Sequence, residues 1–162
     1  MSCIRFNTPA QMRQLDALTA DPVLGSEAVA AFLSPEVTES KIARLRAMST
    51  DKNPKIRESA ALHKHTPAEC FEKLARDRAE NVRVCVARNE ATPCDVLRVL
   101  AGDKSATVRS WVAVNFFVPQ DAMEVLARDS DPNVRALVKW KMELADEADG
   151  SDEASLVLAT SN

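Results

Sequence analysis

The sequence has no tyrosine, only three glycines, and no apolar run approaching the roughly 18 to 20 residues that a membrane-crossing helix requires. Without glycine to turn the chain, a strand-and-turn-rich sandwich is disfavoured. No membrane partner is expected. The start, from Met1 to Pro9, lacks the basic segment, apolar stretch and cleavage site of a secretory signal, so a cytoplasmic location is expected. The four cysteines, Cys3, Cys70, Cys85 and Cys94, form no Cys-x-x-Cys pair. Scattered in this way, they are expected to be small buried hydrophobes, with no disulfide framework.

Catalytic signatures are also missing. There is no Gly-x-Ser-x-Gly and no glycine-rich phosphate loop, and the two histidines, His63 and His65, bracket Lys64. With Cys70 they could begin a metal site, but no second cluster completes it. His63 instead stands where other repeats carry Asn89 and Asn115, a helix-end position. No catalytic residue, metal ligand or cofactor is therefore assigned, and an enzyme is not expected.

Charge is unevenly spread. The formal net charge is −3, yet Glu143, Asp146, Glu147, Asp149, Asp152 and Glu153 make an acidic tail without a single base. Residues 143–162 are expected to be disordered. Between Lys41 and Arg88, twelve bases face six acids.

What the chain does contain is a repeat with a step of 26 residues. Leu74-Ala75-Arg76-Asp77 returns as Leu100-Ala101-Gly102-Asp103 and as Leu126-Ala127-Arg128-Asp129. Each copy is followed by a Val-Arg pair: Val82-Arg83, Val108-Arg109, Val134-Arg135. A weaker copy has Asp51 and Ile56-Arg57. A period of this length means stacked supersecondary units. Thr66-Pro67, Thr92-Pro93 and Val118-Pro119 open the first short helix of successive units, with Thr92 as a cap and Pro93 in the first turn. Val96, Leu97, Leu100 and Ala101 form one apolar face. A second short helix begins near Thr107, with Val108, Val112 and Ala113 inward and Asn115 as a left-handed C-terminal cap. Ser34-Pro35 and Thr66-Pro67 are 32 residues apart, which places an insertion of about six residues near Glu36 to Lys41.

The string from Val82-Arg83 through Val86-Ala87, Asn89, Thr92-Pro93, Leu97 and Leu100-Ala101 to Asp103 resembles the variant leucine-rich repeat, a HEAT-like class. The resemblance implies an all-α fold, a right-handed α-solenoid of short helix pairs. On that basis residues 1–142 form one solenoid domain, with degenerate capping repeats over 1–40 and regular repeats over 41–142. It implies no activity. Some members carry an iron–sulfur module with clustered cysteines; Cys3 alone near the start does not carry that cofactor over.

The Asp-x5-Arg pairs, Asp51 and Arg57, Asp77 and Arg83, Asp103 and Arg109, Asp129 and Arg135, are expected to be a structural ladder rather than a charged active groove. A repeated turn Asp accepts from backbone N–H groups and from the Arg of the same or the next unit. Residues that break the period are better candidates for function. Trp111, Phe116, Phe117 and Trp140 are four of the seven aromatics; they either seal the end of the stack or anchor a partner. With Arg88 and Val114 they are the expected binding residues of a non-enzymatic scaffold for a protein partner, monomeric or weakly dimeric. The alternative is a nucleic-acid-binding module, since HEAT-like stacks include DNA glycosylases. It would use Lys52, Lys55, Lys64, Lys73, Arg76, Arg78 and Arg88, and the acidic tail would compete with phosphate.

Overall fold

A computed structural model describes residues 37–144. The expected capping repeats before residue 37 and nearly all of the acidic tail lie outside them. Among the described residues every regular element is helical and there is no strand. The helices are α1 (Glu39–Ser49), α2 (Pro54–Leu62), α3 (Ala68–Leu74), α4 (Glu80–Arg88), α5 (Cys94–Ala101), α6 (Ala106–Val114) and α7 (Gln120–Leu126). Residues 132–144 are helical too and are called α8. No described helix is long and apolar enough to cross a membrane. Val37–Lys139 belong to one compact unit; Trp140–Leu144 fall outside it and are treated separately.

Odd-numbered helices are the first helices of each unit and even-numbered ones the second. First helices pack on first helices (α1 on α3, α5 on α7), and second helices pack more extensively on each other (α2 on α4, α4 on α6). Between the two layers, buried columns recur at the repeat step. Leu74, Leu100 and Leu126 come from the first helices, and Val82, Val108 and Val134 from the second, each at most 1% exposed. Burial of one such side chain contributes about 1.5–3 kcal/mol. Helices this short are marginal alone, so their stability comes from packing against the next unit.

Local details depart from the expected caps. Pro67, Pro93 and Pro119, not the residues before them, are the N-caps of α3, α5 and α7, and no side chain caps these ends. The threonine is turned the other way. Thr66 Oγ1 donates to the Ala60 carbonyl at 2.6 Å and Thr92 Oγ1 to the Val86 carbonyl at 2.7 Å. A buried hydroxyl needs a partner, and the last turn of the preceding helix offers a carbonyl that also accepts the C-cap N–H, from His63 at Ala60 and from Asn89 at Val86. Asn115 has φ −59° and ψ 134°, extended rather than left-handed. α1 has 11 residues against 7 in α3, and its first turn, residues 39–41, is capped by Thr38 Oγ1 accepting from the Lys41 N–H; the start of the expected insertion, Glu36, lies outside the described residues.

Candidate functional site

The frame of the molecule is two side-chain ladders. Arg57 pairs with Asp77, Arg83 with Asp103 and Arg109 with Asp129, each through two hydrogen bonds to the carboxylate of the following unit. The third donor group points backwards. Nη1 of Arg57, Arg83, Arg109 and Arg135 donates to the backbone carbonyl of Asp51, Asp77, Asp103 and Asp129 respectively. Oδ1 of the same four aspartates accepts from the N–H two residues on, which closes the turn before each second helix. Every interior link thus ties one turn to both of its neighbours. Arg135 and Asp51 have no carboxylate or guanidinium partner among the described residues.

The carboxyls of Asp77, Asp103 and Asp129 titrate below their ordinary value. For Asp77 and Asp103, burial opposes ionisation and is the largest single influence, but the arginine hydrogen bonds and backbone N–H groups together outweigh it. For Asp129 the hydrogen bonds from Arg109 lead.

The second ladder is made of amides. Asn89 Nδ2 donates to the Ala61 carbonyl at 2.7 Å and the His63 carbonyl at 3.3 Å. Asn115 Nδ2 repeats this with Ala87 and Asn89. Each Oδ1 accepts from the N–H two residues later. His63 ends α2 in the same column, and its Nδ1 accepts from the His65 N–H at 3.2 Å.

Neither ladder leaves chemistry to spare, so attention falls on residues outside them. On the second helices, Arg88 of α4 lies over Trp111 of α6, its guanidinium carbon 4.5 Å from the ring centroid. A guanidinium prefers this stacked geometry and keeps its donors free at the edge. Trp111 remains 36% exposed. Val84 and Val114 beside it are half-buried, and Leu62, one unit before Arg88 in the same column, is 52% exposed. The result is an amphipathic strip, aromatic and cationic at its centre and aliphatic at its margins.

The other aromatics lie elsewhere. Phe116 and Phe117 form an edge-to-face pair with centroids 4.8 Å apart, in the turn after α6, and both are half-buried. Trp140, 53% exposed, lies beyond the compact unit. The expected basic residues belong to different elements. Lys73 is on α3, with Arg76 and Arg78 just after it. Lys55 is on α2 and Arg88 on α4, while Lys52 and Lys64 are in turns. Lys55 is engaged with Glu58 at 2.9 Å, and Arg88 with Trp111. Cys70 and Cys85 are buried free thiols, in keeping with a packing role. Cys94 is disulfide-bonded, which its spacing did not suggest.

The contact between Arg88 and Trp111 was not visible in the sequence, although both residues stood out singly. They are 23 residues apart, one repeat less three, and lie on consecutive second helices. No known protein family, curated protein or solved structure matches the chain.

Proposed function

We propose that this chain is a non-enzymatic repeat scaffold, a cytoplasmic right-handed α-solenoid of the variant leucine-rich, HEAT-like kind, that binds a protein partner on its second-helix face. The observation that carries the reading is the Arg88–Trp111 stack: a large aromatic, held by a cation and left one-third exposed beside apolar side chains. Buried Trp and Arg anchors supply most of the energy at protein interfaces. The two ladders support the solenoid reading, because each link is made to the next unit with a constant offset. The dispersal of the basic residues favours a protein partner over a polyanion, which requires a continuous basic track.

The test is capture from cytosol of the source organism on immobilised full-length chain, with Trp111→Ala and Arg88→Glu as parallel baits. The expected result is a protein retained at physiological salt whose binding weakens about tenfold or more with either substitution. Retention of the same proteins by all three baits would overturn the reading. So would recovery of nucleic acid whose binding collapses steeply with salt.

A further inference from the structure

The first helices carry an ion-pair series of their own, and it breaks at one junction. Arg46, Glu72, Arg98 and Glu124 occupy one repeat position, and Glu69, Asp95 and Asp121 another. Between α1 and α3, Arg46 Nε donates to Glu69 Oε1 at 2.9 Å. Between α5 and α7, Arg98 Nε donates to Asp121 Oδ2 at 2.6 Å. Between α3 and α5 the same two positions hold Glu72 and Asp95. Two carboxylates cannot pair, and the Glu72 carboxylate has no hydrogen-bond donor among the described residues. Asp95 is served only along its own helix, by Arg98 at 2.6 Å.

The packing responds to the break. α3 and α5 touch less extensively than α1 with α3 or α5 with α7. A cavity of about 180 Å³ opens there, lined by Glu72, Ala75, Arg76, Asp95, Val96 and Val99. Ala75 and Val96 are buried and Val99 is 47% exposed, so the floor is aliphatic, and the Glu72 and Asp95 carboxylates stand at the rim with Arg76. Arg76 lines the groove as well but bonds neither carboxylate: its Nη1 donates to the Glu72 backbone carbonyl at 3.2 Å, turned onto the helix end.

We propose that this groove receives an arginine side chain from a protein partner. The guanidinium takes the place that Arg46 and Arg98 fill at the flanking junctions, donating to Glu72 and Asp95, and its methylenes lie over Val96 and Val99. Arginine is favoured over lysine because a planar fork can reach two carboxylates at once and its stem covers apolar surface. The Asp95 side chain is 93% exposed, so the contact is shallow and salt-screened, one contact among several in a larger interface. This second contact rests on the partner-binding reading only in taking the arginine from a protein; the groove itself is tested without one.

The experiment is an amide chemical-shift titration of the full chain with N-acetyl-arginine methylamide, and in parallel with its uncharged citrulline analogue. Saturable shifts are expected at Glu72, Arg76, Asp95 and Val99, with a dissociation constant on the order of millimolar. The citrulline analogue should bind about fivefold or more weakly. Glu72→Gln should weaken arginine binding. Glu72→Arg should abolish it and raise the melting temperature, because the introduced guanidinium reaches Asp95 as its counterparts reach Glu69 and Asp121. Equal binding of both analogues, shifts spread equally over Glu69 and Asp121, no saturable shift, or binding retained in Glu72→Arg would each overturn the proposal. Failure here leaves the Trp111→Ala capture result standing, so the two readings fail separately.

Discussion

Arg83 and Asp103, twenty residues apart, meet through two parallel hydrogen bonds, Nε to Oδ2 at 2.7 Å and Nη2 to Oδ1 at 3.0 Å, with side chains only 5% and 8% exposed. Desolvating two charges costs free energy that their attraction roughly offsets, so the pair adds little net stability. Its expected effect is on register. A carboxylate in the wrong place would leave a guanidinium buried and unpaired, so each unit accepts its neighbour in one alignment only.

Removing one partner should therefore be far worse than removing both. Asp103→Asn is expected to cost about 3–5 kcal/mol in urea unfolding, because Arg83 stays charged and buried. The double variant Arg83→Met with Asp103→Asn, which keeps an acceptor for the Ser105 N–H, should recover most of that loss. Equal losses in the single and double variants would show that the pair contributes outright stability and not register.

Asn89 makes a second test of the inter-unit links. Its amide serves two carbonyls of the preceding unit, at Ala61 and His63, and its oxygen takes the Ala91 N–H. Asn89→Ala strands the Ala61 carbonyl in a buried site, at a cost of about 1–3 kcal/mol, while the His63 carbonyl keeps the Thr66 N–H. Hydrogen exchange should quicken first at Ala91, whose N–H loses its acceptor. Unchanged protection there would mean that water replaces the side chain at no cost.

How much of this was legible in the sequence depends on how far each bond reaches. The Asp-x5-Arg spacing exposed the ladder, but a guanidinium can meet a carboxylate in its own unit or in the next. Only the stacked helices place Asp77 against Arg57. Asn115 was visible as a helix-end residue, and a left-handed cap is the local solution for asparagine. Its amide reaches Ala87 instead because the neighbouring unit presents an unsatisfied carbonyl, a tertiary effect invisible to local propensity. The α3–α5 groove has a sequence signal, Glu72 in a column that alternates with arginine. That signal has no meaning until Glu69 and Asp121 are known to face that column.

Trp111 and Arg88 should matter for binding and hardly for folding. An exposed cation–π contact contributes about 0.5–1 kcal/mol. Arg88→Gln is expected to change stability by no more than that, while altering tryptophan emission because the charge over the indole is gone. Trp140→Phe, made in parallel, isolates the Trp111 signal. A loss of several kcal/mol on Arg88→Gln would place that side chain in the frame rather than at a binding surface.

The pH dependence of stability should fall in two windows. Burial, helped by the positive charges of Lys41 and Lys64, lowers the pKa of His63 from its ordinary 6.5. The unfolded chain then takes up the proton more readily than the folded one. The contribution is complete above 6.5 and is lost as pH falls from there through the folded value. Asp77, Asp103 and Asp129 are lowered from 3.8, so their contribution is present above that value and is lost only as pH falls below it. His63→Asn removes one titration from the upper window yet keeps an acceptor for the His65 N–H, as Asn89 does for Ala91. The urea midpoint should therefore fall less between about pH 7.5 and pH 5 in this variant than in the parent. A residual fall is expected from His65, whose pKa is lowered by burial and by the neighbouring charges of Lys64, Lys41 and His63. An identical fall in both proteins would mean that His63 plays no part in it, and that its place in the amide column is tolerated in either charge state.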